Sequence, residues 1–408
     1  MPPVPLRRNR GFRLLWIGQV LSDTGTEAAF IAYPLLILAL TNSAAIAGLV
    51  GTVSLVVQLI LGLPGGAVSD RLDRRLTMIV CDTVRAAVLA VLVVLVLLHL
   101  VTWPIVLAIA AIDGGAGVLF DPSASAALPA IVADEQLERA WAATEARTYA
   151  AGLMGPALGG FLFGLGRAVP FAADAASYLV SAAAVSRIRG KFRAEPSGRK
   201  ALWREVIDGL HLVWHNPLLR AVVIQAPLVN FAFNGALFTV TLALRRHGTA
   251  PGIIGLTQAG IAVGGLLGAI IAPRLQGRLP LRRLVIVMTT VGTALFGVAA
   301  LLLPSTLVAL PVAANILLAP AANAALIAAM QRATPDDMRG RVNSTVLQAA
   351  LSLTALAPLT SGLLVEHFSG QWAMAAFAAT TGIAAILCVV LPGLKITGSG
   401  DGKNGALS

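Results

Sequence analysis

Four carboxyl groups stand where ionised acids are rarely tolerated. Asp23, Glu27, Asp113 and Asp174 each fall within a long apolar stretch of the chain. An ionised acid at the centre of a lipid-facing helix costs ~2.5–3.5 kcal/mol. These side chains are therefore expected to face a wet cavity, to hydrogen-bond inside the protein, or to carry a proton. A carboxyl that gains and loses a proton as its exposure alternates performs the chemistry of proton coupling. Asp23 and Glu27 lie one turn apart on one helical face, so both can line the same cavity, and two close carboxyls titrate as a pair. Glu27 falls nearer mid-membrane and ranks first as the proton site, ahead of Asp113 and Asp174. Later in the chain Gln225, Asn230, Asn234, Asn315 and Asn323 are uncharged candidates for the cavity wall. Coupling is thus assigned to the first half of the chain, and shape and hydrogen bonding to the second. Asp82 and Arg85, three apart, are expected to pair with each other.

The elements that must position these groups are membrane spans. The chain has 408 residues, 57% hydrophobic and 12% charged, where a soluble protein carries roughly 25% charged residues. Lipid is therefore the solvent for most of it. Segments long enough to cross a ~30 Å core occur near 12–39, 44–67, 76–99, 104–128, 144–165, 168–187, 218–243, 252–275, 283–303, 306–331, 345–366 and 371–392. Nearly all of the 30 Lys and Arg fall on one side of these spans, with Arg139 and Arg147 assigned to the fourth-to-fifth connection. Arg167, Arg245 and Arg246 are on the other side. The positive-inside rule then places both termini in the cytoplasm of a cell whose inner membrane holds the protein.

The net charge of +11 raises nucleic acid as a partner, but no basic cluster is interleaved with aromatics into a stacking platform. Cys81 and Cys388 both fall in spans without CxxC spacing, so neither a disulfide nor a metal site is expected. Asp208, His211 and His215 share a helical face, which reads as a solvated surface before a metal site. Walker A, HExxH and GxSxG sequences are absent, which leaves ATP-driven transport and hydrolysis without support. No cofactor is expected.

The chain repeats itself. Pro122-Ser-Ala-Ser-Ala-Ala-Leu128 returns as Pro320-Ala-Ala-Asn-Ala-Ala-Leu326, and Pro156 and Gly160 return as Pro358 and Gly362. Repeats half a chain apart, six spans each, preserve orientation and define two parallel bundles. The expected division is a first bundle over 1–186, a cytoplasmic linker over 187–217 and a second bundle with a short tail over 218–408. Within the linker Leu202, Trp203, Val206, Ile207, Leu210, Val213 and Trp214 recur at helical spacing and predict an amphipathic helix.

Between the second and third spans the loop carries Gly66, Asp70, Arg71, Arg74 and Arg75. Here the sequence resembles the major facilitator superfamily, with Asp73 where a glycine is usual. That variant, the opening Asn9-Arg10-Gly11-Phe12-Arg13, Phe120-Asp121-Pro122 and Arg339-Gly340-Arg341-Val342 are similar to the enterobactin-exporter and macrolide-efflux-like branch. Gly155-Pro156-Ala-Leu-Gly159-Gly160 resembles an antiporter signature, although Ala151 and Ala142 replace its earlier glycines. The run permits a helix bend, or close helix packing alone. Asp113 stands four before Gly117, where related antiporters often carry an arginine.

The resemblance implies an all-α membrane protein of twelve helices in two six-helix bundles. It also implies a charge network of Asp70, Arg74 and Asp121 that stabilises the outward-open state. The expected function is proton-coupled efflux of a small amphipathic compound such as a drug, siderophore or natural product. The alternatives are proton-coupled uptake or, further off, a lipid flippase or membrane sensor. The expected partners are the bilayer, the substrate and protons, for a chain that works as a monomer.

Overall fold

The computed structural model describes residues 5–69, 72–188, 210–335 and 338–391, the side chains of 63–69 excepted. The chain runs through α1 (Arg10–Thr41), α2 (Ala44–Ser69), α3 (Arg74–Leu97), α4 (Trp103–Ile131), α5 (Leu137–Leu165) and α6 (Val169–Ser186). It continues through α7 (Pro217–Arg246), α8 (Pro251–Arg278), α9 (Leu281–Leu302), α10 (Ala309–Arg332), α11 (Arg339–Thr354), α12 (Ala357–His367) and α13 (Gly370–Val390). Helix is what lipid demands, because each backbone N–H and C=O must be satisfied within its own segment. Twelve segments among the described residues are long and apolar enough to cross a membrane, with α11 and α12 together making the eleventh. Pro358 lacks an N–H and crowds the preceding turn, and the helix breaks at Ala355–Leu356.

Side chains mark several helix starts. Asn9, Asp73, Asn216 and Ser369 each accept a backbone N–H from the first turn of α1, α3, α7 and α13. The Asp73 cap, 2.9 Å from the Leu76 N–H, gives a local reason for an acid where the resemblance leads one to expect glycine. Asn42 takes a left-handed φ of 53° to end α1 and turn the chain into α2.

Helices α1–α6 pack chiefly among themselves, as do α7–α13. The two bundles meet where α2 lies along α12 and α5 lies along α8. Small residues set these crossings. A Cβ on Gly48 would overlap the Pro358 carbonyl of α12, and one on Gly160 would overlap the Pro251 carbonyl of α8. Both crossings lie towards the end of the molecule that carries the α1–α2, α5–α6 and α7–α8 turns, opposite the end that carries the N-terminus.

Two expectations change here. The fifth span begins at Leu137 rather than near 144. Arg147, counted above with the charges of the connection, lies well inside this helix and is only 8% exposed. The amphipathic linker helix lies outside the described residues, apart from its last turn at 210–215.

Candidate functional site

Among the described residues of the first bundle, two ion pairs join the helices. Arg85 of α3 donates from Nε to Asp113 of α4 at 2.8 Å. Its guanidinium lies 4.0 Å from the centroid of the Tyr178 ring, and Nη2 reaches the Thr26 hydroxyl at 3.4 Å. Thr26 and Tyr178 share a hydrogen bond of 2.8 Å, which joins α1 to α6. Gly117, four after Asp113, faces this guanidinium at a distance where a Cβ would make ordinary van der Waals contact with it. The expected local pair of Asp82 with Arg85 is not formed: Arg85 turns to Asp113 of α4 instead. Asp82 is fully buried beside Ser181, with neither oxygen in a hydrogen bond of good geometry among the described residues.

The second pair joins α1 to α5. Arg147 Nε lies 2.9 Å from Asp23 Oδ2, and Nη1 donates to the Gln19 amide oxygen. Arg147 is buried and Asp23 half-buried, so losing Asp23 would leave the guanidinium with an unpaired charge. Asp23 is therefore half of a bundle-internal pair. Asp174 is sealed away on α6. Its Oδ1 accepts from the Ser177 hydroxyl at 3.2 Å and abuts Gly25, where any Cβ would overlap it. Oδ2 has no hydrogen-bond partner among the described residues.

Glu27 is placed differently. It lines a cavity of about 160 Å³ between the bundles, walled by Phe30, Leu55, Pro156, Phe233, Asn234, Phe238, Thr241, Gln258 and Pro358 among others. Among the described residues Glu27 is the one ionisable side chain on this wall, and no cation comes within ion-pair distance of it. Gly155 packs directly on its Cβ, Gly159 on the Ala28 carbonyl and Gly160 on α8. The run from Gly155 to Gly160 thus seats α5 against α1 with two glycines and against the second bundle with the third, while Pro156 faces the cavity. Opposite Glu27, the Gln258 amide donates to Thr241 Oγ1 at 2.8 Å and to the Leu237 carbonyl at 2.9 Å.

Of the five uncharged candidates, Asn234 alone reaches this cavity. Gln225 is buried within the second bundle, and Asn315 donates weakly to the Gly292 carbonyl at 3.4 Å. Asn230 and Asn323 are exposed, and Asn230 bonds back to the Ala226 carbonyl. Helical phase explains the misses, since a polar residue in a span can turn to a neighbour or to its own backbone as readily as to a cavity.

Asp70 and Arg71 lie outside the described residues, and Gly66 is within α2. Arg74 donates to the Ala126 carbonyl of α4 at 2.9 Å, and Arg75 donates to the Ser186 carbonyl at the end of α6. Both arginines anchor α3 to its neighbours. Asp121 is exposed and forms no ion pair with Arg74 in this conformation.

The bundles are latched at the end opposite the N-terminus. Ser43 precedes α2, and its hydroxyl accepts the Ile46 N–H at 3.2 Å. The Glu366 carboxylate, at the end of α12, accepts the Ser43 hydroxyl at 2.6 Å and the Ala45 N–H at 2.7 Å. An acid of the second bundle thus completes the N-terminal cap of a helix in the first. The Leu359 N–H donates to Thr52 Oγ1 at 3.0 Å in support.

Sequence reasoning missed Arg147, Gln258, Thr241 and Glu366. For Arg147 a signal existed, because the helical pattern runs unbroken from Leu137. For Glu366 there was none, because its partners are Ser43 and Ala45, most of the chain away.

Comparison with known proteins agrees with this architecture. The sequence profile of the transmembrane secretion effector family, a major facilitator family, matches residues 2–399. The multidrug efflux pump Tap of Mycolicibacterium fortuitum is 25% identical over 400 residues, covering 94% of this chain and 96% of Tap. A bacterial homologue of the human lysosomal transporter Spinster, inward-facing, superposes with a TM-score of 0.73 at 15% identity, covering 96% of this chain and 98% of its own. A bacterial homologue of the iron transporter ferroportin, at 17% identity and 98% of its own length, fits with a TM-score of 0.70 over 95% of this chain when inward-facing. Its outward-facing form fits with 0.58 over 93%. Twelve spans in two bundles, an interfacial cavity and a family match over almost the full length lead to one conclusion: the chain is a multi-pass membrane transporter that belongs to the transmembrane secretion effector family of the major facilitator superfamily.

Proposed function

We propose that this transporter sits in the inner membrane with both termini in the cytoplasm and exports a small amphipathic compound in exchange for protons. The observation that carries the reading is Glu27, which among the described residues has no cationic partner and is the one ionisable group on the wall of the cavity between the bundles. The cavity offers aromatic faces, a few hydrogen-bonding groups and one acid, which suits an amphipathic guest. On this reading the latched end is the outer one, and the structure is open towards the cytoplasm. There Glu27 releases its proton and the substrate enters. After the bundles rock, the substrate leaves to the outside and a proton returns to Glu27. Export rather than uptake is favoured by the similarity to Tap, which is named as an efflux pump. Proton coupling places Asp23, Asp113 and Asp174 behind Glu27, because each is held inside the first bundle.

The test is transport into inverted vesicles under an imposed pH gradient, with a panel of amphipathic compounds. Wild-type protein accumulates the substrate as protons leave the vesicle. Glu27→Gln loses gradient-driven accumulation and retains substrate exchange. Substrate movement in the same direction as the protons would replace export by uptake. Normal gradient-driven accumulation by Glu27→Gln would move coupling to another acid.

A further inference from the structure

A second concavity lies away from the transport cavity, where the N-terminal segment and the start of α1 meet the start of α5. It is an open groove of about 890 Å³. Arg7, Arg13 and Arg139 line it, all exposed, together with Phe12, Trp16 and Ile17. None of the three arginines makes a side-chain hydrogen bond or ion pair among the described residues. Asp134, Glu135 and Glu138 are near Arg139 in sequence, yet no carboxylate among the described residues lines the groove. The Trp16 indole N–H donates to the Ala143 carbonyl at 3.0 Å, which fixes the ring across the α1–α5 contact.

These features belong together chemically. Three guanidinium groups left unpaired at the end of a membrane span offer fork-shaped donors for phosphate oxygens. A tryptophan at the same level is the side chain of the membrane interface. Ile17 continues the groove as exposed apolar surface along α1, and the buried Phe12 forms part of its wall. A basic pocket between spans, apolar below and cationic above, fits a lipid whose phosphate is anionic and whose chains run down the helix. We propose that this groove holds the headgroup and first acyl carbons of an anionic phospholipid from the leaflet on the N-terminal side. The site is independent of the transport cavity and of the proton reading. The bound lipid bridges α1 to α5, the two helices that carry Glu27 and its glycine seat.

The probe is brominated phosphatidylglycerol in phosphatidylcholine vesicles containing the purified full-length transporter. Bromine quenches tryptophan at short range, and the contribution of Trp16 is isolated from the other five by subtracting the Trp16→Phe signal. Brominated phosphatidylglycerol is expected to quench Trp16 more strongly than brominated phosphatidylcholine at the same mole fraction. In Arg13→Gln/Arg139→Gln this preference falls about fivefold for each arginine removed, from ~1 kcal/mol per basic residue at the surface. Arg8 and Arg10 are exposed beside the groove without lining it. Arg8→Gln/Arg10→Gln removes the same charge and retains the preference. Equal quenching of the wild-type protein by the two lipids overturns the site. Equal loss in the two double variants also overturns it, because the attraction is then that of the basic surface as a whole.

Discussion

Replacing Glu366 by glutamine weakens the latch between the bundles while changing little else. The carboxylate accepts the Ser43 hydroxyl at 2.6 Å and the Ala45 N–H at 2.7 Å, both short distances for bonds to a charged acceptor. It also faces the positive end of α2. Glutamine keeps a neutral acceptor, so the exchange turns charge-assisted bonds of about 1.5–3 kcal/mol into neutral ones of about 0.5–1.5 kcal/mol. Glu366 is half-buried, and water replaces part of the loss. A net change of about 1–2 kcal/mol remains, which shifts the ratio of closed to open states at this end by about 5- to 30-fold. The Thr52–Leu359 bond and the packing of Gly48 on Pro358 persist, so the bundles should stay folded and merely redistribute. Spin labels at Leu165 and Phe368, exposed on the two bundles at this end, report the two populations as short and long distances. A ratio that moves less than about twofold in Glu366→Gln would refute the latch, because the bonds would then be equally satisfied by water in the open state.

Asp113→Asn strands the buried Arg85 charge and should lower stability by about 3–5 kcal/mol. Its thermal unfolding midpoint in detergent should fall and be largely recovered in Asp113→Asn/Arg85→Gln; an unchanged single variant sinks the argument. Asp23 and Arg147 should show a coupling energy of about 0.5–3 kcal/mol in a double-mutant cycle on the same midpoint, whereas additivity would mean that the pair is not formed. Gly160→Ala inserts a Cβ against the Pro251 carbonyl across the bundle interface, worth about 1–3 kcal/mol of overpacking. It should open the latched end in the spin-label assay, whereas Gly164→Ala, which has open space around its Cβ, should not.

What the sequence determined by itself was whatever repeats or averages along the chain. Twelve apolar stretches, the lean charge content and the paired motifs of the two halves each draw on many residues, so no single error displaces them. That is why the spans and the two-bundle fold were legible. The run from Gly155 to Gly160 was also legible as close packing, since small residues beside a proline leave few other uses. Which acid faces which partner was decided only in three dimensions. Asp113, Asp23 and Glu27 look alike in sequence, each a carboxylate in an apolar run. Arg85 reaches Asp113 from a different helix, Arg147 reaches Asp23 from another, and Glu27 is left facing the cavity. Local spacing pointed Arg85 to Asp82, and a partner on α4 won. Interactions between distant residues depend on helix phase and crossing, to within a fraction of a turn. A span boundary known only to a few residues does not carry that information. The Glu366 latch is the clearest instance, because an acid at the end of one helix acquires a role only when another helix begins beside it.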